Sequence, residues 1–211
     1  MEILEEIAAG IEKGDSASVL ALTEKALSQD ISAEDILNKA LVAGMDTISE
    51  RFKKGDIFIP EVLIAAKAMK AGMEIIKPLL AESKVEAKGK VVIGTVKGDL
   101  HDIGKNIVAM LLEGSGYEVI DLGNDVPKEK FLEHVEREGA NVLGMSALLT
   151  TTMTYMREVI ESIEKAGLKQ KVKVIIGGAP LTYSFAEQIK ADGYAPDAAS
   201  AVDLVKDLLN Q

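Results

Sequence analysis

The segment V-K-G-D-L-H-D-I-G, residues 96–104, holds the residue types best suited to chemistry, because one of the two histidines of the chain stands there among aspartates. Imidazole changes charge near neutral pH and is a common metal ligand. A carboxylate that accepts a hydrogen bond from one ring nitrogen leaves the other nitrogen free for a metal and makes that nitrogen more basic. Asp99 is close enough to His101 in the chain to do this, whereas Asp102 is expected to cap the following helix.

The metal-ligand interpretation of His101 has a structural alternative. A loop histidine can also cap a helix or hydrogen-bond a neighbouring acid without any further role, and spacing alone leaves both interpretations open. One histidine is too few ligands for a bare zinc or iron site, so a metal here would need most of its ligands from a macrocycle or another group. The second histidine, His134, stands in the charged segment F-L-E-H-V-E-R and is expected to be solvated.

The glycines of this segment do not form a phosphate-binding loop. A P-loop has the pattern G-x-x-x-x-G-K followed by serine or threonine. Here Gly98 and Gly104 are one residue too far apart, and Asn106 stands in place of the hydroxyl residue. The dinucleotide pattern G-x-G-x-x-G is also missing from this segment. A nucleotide-hydrolysing site is therefore disfavoured.

Composition narrows the function classes further. The formal net charge of the 211-residue chain is -10, which argues against nucleic acids and anionic membranes as partners, since their binding relies on lysine and arginine. Without cysteine, the chain can form no disulfide, iron–sulfur cluster or thiolate-bound zinc site. The acidic N-terminus lacks the basic start of a signal peptide, and no window approaches the roughly 20 apolar residues of a membrane span. We therefore expect a cytoplasmic protein.

Residues 2–82 are predicted to be helical throughout, because apolar residues recur every three or four positions. Helices joined by short turns are typical of a small bundle. Pro78 is expected to kink or shorten the end of the last helix. Residues typical of helix ends divide this region into four predicted helices. These residues are Gly14, Asp15, Ser32 with Asp35, Gly55 and Pro60.

The polar segment S-K-V-E-A-K-G-K, residues 83–90, is expected to separate a helical domain, residues 1–84, from a second domain, residues 90–211. From Val91 onward, short apolar runs rich in β-branched residues alternate with helical runs. This alternation predicts a parallel sheet covered on both faces, and five such units suit a flavodoxin-like (Rossmann-type), doubly wound α/β fold. Its helices are predicted near residues 103–114, 128–138, 152–166, 183–190 and 198–209.

In such sheets, ligands bind at the carboxyl edge, where each strand is followed by its helix. The unusual polar and glycine-rich clusters of the second domain all fall at this edge. They are K-G-D-L-H-D-I-G after the first strand, G-N-D-V-P after the second, S-A-L-L-T-T-T after the third, G-G-A-P after the fourth and Y-A-P-D-A after the fifth.

These clusters carry a family resemblance. D-L-H-D-I-G is similar to the D-x-H-x-x-G motif of cobalamin-binding domains, and S-A-L at 146–148 and G-G at 177–178 match the S-x-L and G-G elements of that family in the same order. The helical half resembles the four-helix cap that precedes this domain in methionine synthase and in the small corrinoid proteins of methanogens and acetogens. The resemblance therefore covers essentially the whole chain, and it is closest to the corrinoid proteins of methylamine and methanol methyltransferase systems.

The resemblance implies a role for each matched residue. His101 would replace the cobamide's own benzimidazole as the lower axial ligand of cobalt, with Asp99 holding the imidazole. Gly104 would leave a slot open for the displaced nucleotide tail, and Gly177 and Gly178 would let the backbone approach that tail closely. The remaining residues of the motif, Leu100, Asp102 and Ile103, are expected to contact the cofactor.

Residues after the third strand have implied roles as well. Ser146 and Thr150 would hydrogen-bond the base or the lower face of the corrin, and Leu148 would pack beside it. Thr152 stands where methionine synthase has the serine that completes a relay with the histidine and the aspartate. Threonine keeps the hydroxyl, but its β-branch restricts χ1.

In the cap, R-F-K-K-G-D-I-F-I-P resembles the segment whose two apolar side chains cover the upper, methyl-bearing face of the cofactor. These would be Phe52 and Ile59, with isoleucine in place of the leucine that is frequent in the family. Ordinary packing inside the bundle is the alternative for both residues.

The resemblance implies a methyl carrier rather than a complete enzyme. A cobamide would take a methyl group from a substrate-specific methyltransferase and yield it to a second methyltransferase, which passes it to coenzyme M or a tetrahydropterin. A reductive activase is a further expected partner, and the cap would have to move about residues 83–90 to expose the cobalt. The alternatives are a cobamide-sensing regulator, a cobamide-dependent mutase subunit and a metal-free flavodoxin-like interaction or phosphate-binding module.

Overall fold

A computed structural model of the chain describes residues 2–83 and 87–209, with the side chains of 81–83 left out. The chain forms two compact units. One comprises Met1–Ala87 and Met110–Gly116, and the other comprises Lys88–Ala109 and Tyr117–Gln211. The predicted linker at 83–90 includes residues 84–86, which lie outside the described part, so the boundary between 84 and 90 stays a prediction.

The N-terminal unit is helical, as predicted. Ile7, Ile11, Ile36, Leu41, Met45 and Ile48 are completely or almost completely buried in its core. The helices are α1 (Glu2–Glu12), α2 (Ser16–Ser28), α3 (Ala33–Ile36), a π-helical segment (Leu37–Val42), α4 (Ala43–Lys54) and α5 (Ile59–Ser83).

Local sequence signals set the ends of these helices. The side chain of Asp15 caps α2 by accepting the N–H of Ser18, and the hydroxyl of Ser32 caps α3 in the same way. Gly55 ends α4 in the left-handed conformation with φ of 76°, which glycine adopts without a steric penalty. Pro78 lies inside α5, which continues to Ser83. Of the two predicted effects, shortening of the helix is therefore wrong, and a kink at Pro78 stays a prediction.

The second unit contains a five-stranded parallel sheet in the order β2-β1-β3-β4-β5, which confirms the flavodoxin-like topology. Its strands are β1 (Lys90–Thr95), β2 (Glu118–Asp121), β3 (Val142–Ser146), β4 (Lys173–Gly177) and β5 (Gly193–Ala195). Its helices are α6 (Ile103–Gly114), α7 (Lys128–Glu138), α8 (Thr150–Met153), α9 (Tyr155–Lys165), α10 (Tyr183–Gln188) and α11 (Ala198–Leu208).

The core of this unit depends on close packing of helices on the sheet. Phe131 of α7 is fully buried and packs over Gly94 of β1, where an added Cβ would lie 2.8 Å from the ring. The strand order changes direction between β1 and β3, which makes the carboxyl ends of these two strands the expected ligand edge. In the part of the chain that the structure describes, no helix is long and apolar enough to cross a membrane.

Candidate functional site

Asp99 lies in the loop between β1 and α6, and its side chain is completely buried. The oxygen Oδ1 is 2.7 Å from Nδ1 of His101 and accepts the backbone N–H of the same residue at 3.1 Å. The oxygen Oδ2 accepts the hydroxyl of Thr152 at 2.7 Å and the backbone N–H groups of Leu148 and Leu149 at 2.8 and 3.3 Å. The carboxylate therefore joins the loop after β1 to the segment after β3.

These contacts determine the charge of Asp99. Burial raises the pKa of its carboxyl, but the hydrogen bonds from the hydroxyl of Thr152, the N–H of Leu148 and then His101 outweigh burial and hold the pKa well below its usual range. The group is thus ionised at neutral pH, and an ionised carboxylate can only accept hydrogen bonds.

The charge of Asp99 in turn selects the tautomer of His101. Because Oδ1 only accepts, Nδ1 of the imidazole carries the hydrogen of the 2.7 Å bond. In the neutral imidazole, the other ring nitrogen, Nε2, has the free lone pair and is the atom that can bind a metal.

The histidine is surrounded in sequence by exposed apolar residues. The side chain of His101 is 51% exposed, while Leu100 and Ile103 are 69% and 71% exposed. Leu148 and Leu149, whose N–H groups bind Asp99, also have exposed side chains. These exposed side chains offer apolar surface that a ligand with an apolar face could contact.

Ser146, at the end of β3, takes part in a second hydrogen-bonded group. Its hydroxyl is 2.7 Å from the hydroxyl of the fully buried Thr95. Thr95 donates to the backbone carbonyl of His101 at 3.0 Å. Thr150 begins α8 with an exposed side chain, and the backbone carbonyl of Asp102 accepts the N–H of Asn106 at 2.8 Å at the start of α6.

The three glycines predicted to contact the cofactor, Gly104, Gly177 and Gly178, differ in whether the fold itself requires glycine at that position. At Gly178, φ is +135° and an added Cβ would lie 1.9 Å from the carbonyl oxygen of Ala147, so the fold needs glycine there. At Gly177 the nearest atom would be the carbonyl oxygen of Ala195, at 3.3 Å. At Gly104 an added Cβ would meet no described atom within 4 Å. The space beside Gly104 is therefore open to a ligand.

In the helical unit, Phe52 is half-exposed on α4, and Ile59 is the exposed first residue of α5. Ile59 lies outside the buried core, whereas Phe52 is partly buried. A role of these two residues in covering a cofactor and ordinary packing in the bundle therefore both stay predictions. Both leave apolar surface available for contact.

Lys105, the residue after Gly104, is a buried lysine that the sequence did not predict. It lies in the first turn of α6 and is 3% exposed. Its Nζ donates to Oδ2 of Asp121 at 2.5 Å and to Oδ1 of Asn106 at 2.6 Å. These bonds tie the start of α6 to the end of β2. A positive charge in the first turn of a helix is unfavourable because it opposes the helix dipole. The position of Lys105 in the sequence could therefore have indicated that its charge is paired with an acidic residue.

The two histidines have different surroundings. His134 is on α7, where Nδ1 binds the carbonyl of Lys130 at 2.9 Å, so it is held by its own helix and is not simply solvated. Within residues 2–83 and 87–209, no cluster of three or more histidine, aspartate or glutamate side chains is placed to hold a bare metal ion. A metal bound by His101 would thus bring its other ligands with it.

The hydroxyl of Thr152 is expected to support both stability and the charge of Asp99. Thr152→Val, which keeps the shape and removes the hydroxyl, should lower the free energy of unfolding by about 1–3 kcal/mol at neutral pH. The pKa of Asp99 is lowered in the folded state, so its stabilisation is present above the ordinary aspartate pKa of about 4 and lost as the pH falls towards the folded value. Denaturant unfolding across this acidic range should show a smaller pH dependence for Thr152→Val than for Thr152→Ser.

Comparison with known proteins agrees with this geometry. A family described as B12 binding domain matches residues 89–203, and a second family with the same description matches residues 3–77. A corrinoid protein of Desulfitobacterium hafniense is 41% identical over 214 residues, covering 100% of this chain and 99% of its relative. Dimethylamine corrinoid protein 1 of Methanosarcina acetivorans is 44% identical over 209 residues, covering 99% and 98%.

The structural comparison gives the same result. The crystal structure of the methanol:cobalamin methyltransferase complex from Methanosarcina barkeri contains a chain that matches with a TM-score of 0.89 and 34% identity. The match covers 99% of this chain and 80% of that chain. A corrinoid-protein architecture is thus shared over the full length, and the chain belongs to the B12-binding domain family.

Proposed function

We propose that the protein is a corrinoid methyl carrier. In this role it accepts a methyl group from a substrate-specific methyltransferase and presents it to a second methyltransferase, which transfers it to coenzyme M or a tetrahydropterin. A reductive activase would reduce a cofactor that has become oxidised, so that it can accept a methyl group again. The relatives named for dimethylamine, and the match to a methanol:cobalamin methyltransferase complex, support partners of this type.

One observation carries the proposal: a half-exposed imidazole is oriented by a buried, ionised carboxylate and surrounded in sequence by exposed apolar residues. Nε2 of His101 would be the protein ligand of the cobalt, and the open space at Gly104 would admit the nucleotide tail. Cobalt in a bound cobamide supplies the nucleophile that accepts and later releases the methyl group.

The residues of the chain have separate tasks in this proposal. Asp99 and Thr152 hold the imidazole proton at Nδ1, so that Nε2 stays available. Leu100, Ile103 and Leu148 would shield the lower face of the cofactor from water.

The other predicted cofactor contacts remain part of the proposal. They comprise Asp102, Ser146, Thr150, Gly177 and Gly178 in the α/β unit, and the partly buried Phe52 and the exposed Ile59 of the helical unit. A cytoplasmic location belongs to the proposal too, and the absence of cysteine is compatible with such a reducing compartment.

The proposal is tested by loading the purified protein with hydroxocobalamin and removing free cofactor by gel filtration. We expect a red protein that retains one cobalamin per chain. When purified amine- or methanol-specific methyltransferases are added with reductant and radiolabelled substrate, the label should move to the protein. It should move on to coenzyme M or a tetrahydropterin when a second methyltransferase follows.

His134→Ala is the matched control, because it removes the histidine on α7 and should behave like the wild type. A protein that retains no cobalamin would contradict the corrinoid assignment. A protein that retains cobalamin and takes up no label from any methyltransferase of the set would contradict the carrier role and favour a sensor of cobamide.

A further inference from the structure

The loop that carries His101, residues 97–102, has no helix or strand hydrogen bonding of its own. Apart from the turn bond from the N–H of Asp99 to the carbonyl of Val96 and the bonds between Asp99 and His101, its conformation depends on bonds to neighbouring segments. On one side these come from the buried hydroxyl of Thr95 and from the segment after β3, as described above. On the other side they come from the loop between β2 and α7, residues 122–127, which contributes no residue to the three matched motifs.

Two consecutive residues of that second loop bind three consecutive residues of the first. The carboxylate of Asp125 accepts the backbone N–H of Gly98 at 2.7 Å, and the N–H of Asp125 donates to the carbonyl of Asp99 at 3.0 Å. The side chain of Asn124 donates to the carbonyl of Leu100 at 3.2 Å. The backbone before and after Asp99, whose carboxylate contacts His101, is thus hydrogen-bonded to the loop between β2 and α7.

Asp125 adopts an unfavourable backbone conformation to make these bonds. Its φ is +52°, in the left-handed region that costs energy for any residue with a Cβ, although aspartate tolerates it better than most. Glycine would relieve this strain, so the aspartate must be explained by what its side chain does. The bond to Gly98 spans 27 positions of sequence, which distinguishes it from the local turns that aspartate usually forms with its own backbone.

We infer that Asp125 is a positioning residue for the cobalt-binding histidine. It acts through the backbone of Gly98 and Asp99, whose carboxylate orients the imidazole. The role in cobalt binding rests on the proposed corrinoid function. The contacts that position His101 are made within the chain and do not depend on a cofactor. Strain held at a functional site in this way is a recognised use of unfavourable backbone conformations.

The test compares Asp125→Gly with Asp125→Asn. The glycine variant relieves the strain and loses the acceptor, whereas asparagine keeps both an acceptor oxygen and a tolerance for positive φ. Asp125→Gly should lower the melting temperature by only a few degrees, because the relieved strain offsets part of the lost bond. It should weaken retention of hydroxocobalamin about tenfold, which is the size of effect expected from one hydrogen bond to a charged group. Its cobalamin spectrum should shift towards the form without histidine, and Asp125→Asn should restore the wild-type spectrum.

Measurements on the cobalamin-free protein separate this inference from the function on which it rests. In Asp125→Gly, the amide of Gly98 should exchange with solvent about tenfold faster, and the ring nitrogen resonances of His101 should shift. Asp30→Gly is the control, because Asp30 has a similar φ of 59° at the end of α2 in the helical unit. It should relieve strain and change none of these signals.

Two results would overturn the positioning role. One is an Asp125→Gly protein whose His101 resonances and cobalamin spectrum match the wild type. The other is an Asp125→Asn protein that loses histidine ligation as fully as the glycine variant. Failure of the corrinoid function would show instead as a wild-type protein that retains no cobalamin, and the His101 resonances of the free proteins would still decide the positioning role.

Discussion

Replacing His101 with alanine is expected to abolish histidine coordination of cobalt while leaving the fold in place. The side chain is half-exposed and its ring is hydrogen-bonded to Asp99, so the change in unfolding free energy should stay within about 1 kcal/mol. Asp99 keeps its bonds from Thr152, Leu148 and Leu149. The measurement is the ultraviolet–visible spectrum of the variant loaded with hydroxocobalamin, beside a wild-type sample prepared identically.

The control for this experiment is again His134→Ala, whose spectrum should be that of the wild type. Added imidazole should partly restore nitrogen ligation in His101→Ala, because the ionised Asp99 remains to orient it. A variant that keeps the wild-type spectrum without added imidazole would show that His101 is not the ligand. The structural alternative for His101, a hydrogen-bonded loop residue, would then stand.

Much of the α/β unit was predictable, because its signals are local. The helices expected at 103–114 and 128–138 were found as Ile103–Gly114 and Lys128–Glu138, since the glycines and apolar spacing that define them act over a few residues. The helix expected at 152–166 is divided into α8 and α9. The π-helical segment Leu37–Val42 was also not anticipated, because a few residues with a wider turn hardly alter an apolar pattern of period 3.6.

The site was predictable only in part, and sequence distance explains the difference. The pairing of Asp99 with His101 follows from a separation of two residues in one loop. The bond from Thr152 to Asp99 spans 53 positions and was reached only through a family resemblance. The contact of Asp125 with Gly98 depends on two loops meeting at the edge of a sheet, together with a backbone conformation that aspartate only sometimes adopts.

Asp99→Asn is expected to abolish histidine ligation without removing any atom of His101. In the wild type, both oxygens of Asp99 accept: Oδ1 faces Nδ1 and the backbone N–H of His101, and Oδ2 faces three donors, which are the hydroxyl of Thr152 and the N–H groups of Leu148 and Leu149. Asparagine has one accepting oxygen and one donating NH₂ group. The oxygen should face the three donors, since that orientation satisfies more of them.

The NH₂ group of the substituted side chain would then point towards His101, so Nδ1 must accept and the ring hydrogen must move to Nε2. With a hydrogen on Nε2, this nitrogen has no lone pair with which to bind a metal. The change of tautomer alone should therefore abolish coordination by His101. The loss of charge-assisted bonds should also lower the free energy of unfolding by about 1–3 kcal/mol. Nitrogen NMR of the free protein should report the hydrogen on Nε2, and the loaded protein should show a spectrum without histidine.

Asp15→Asn is the matched control, because it makes the same chemical change at the cap of α2 in the helical unit, where asparagine caps as well as aspartate. It should leave the tautomer and the spectrum unchanged. The two variants at the site also differ in how they respond to added imidazole. It should restore ligation in His101→Ala, where Asp99 is intact, and should have little effect in Asp99→Asn, where His101 still fills the position and the orienting acceptor is gone. If Asp99→Asn kept the wild-type spectrum, Asp99 would be a structural anchor of the loop, and the tautomer of His101 would be set by another group.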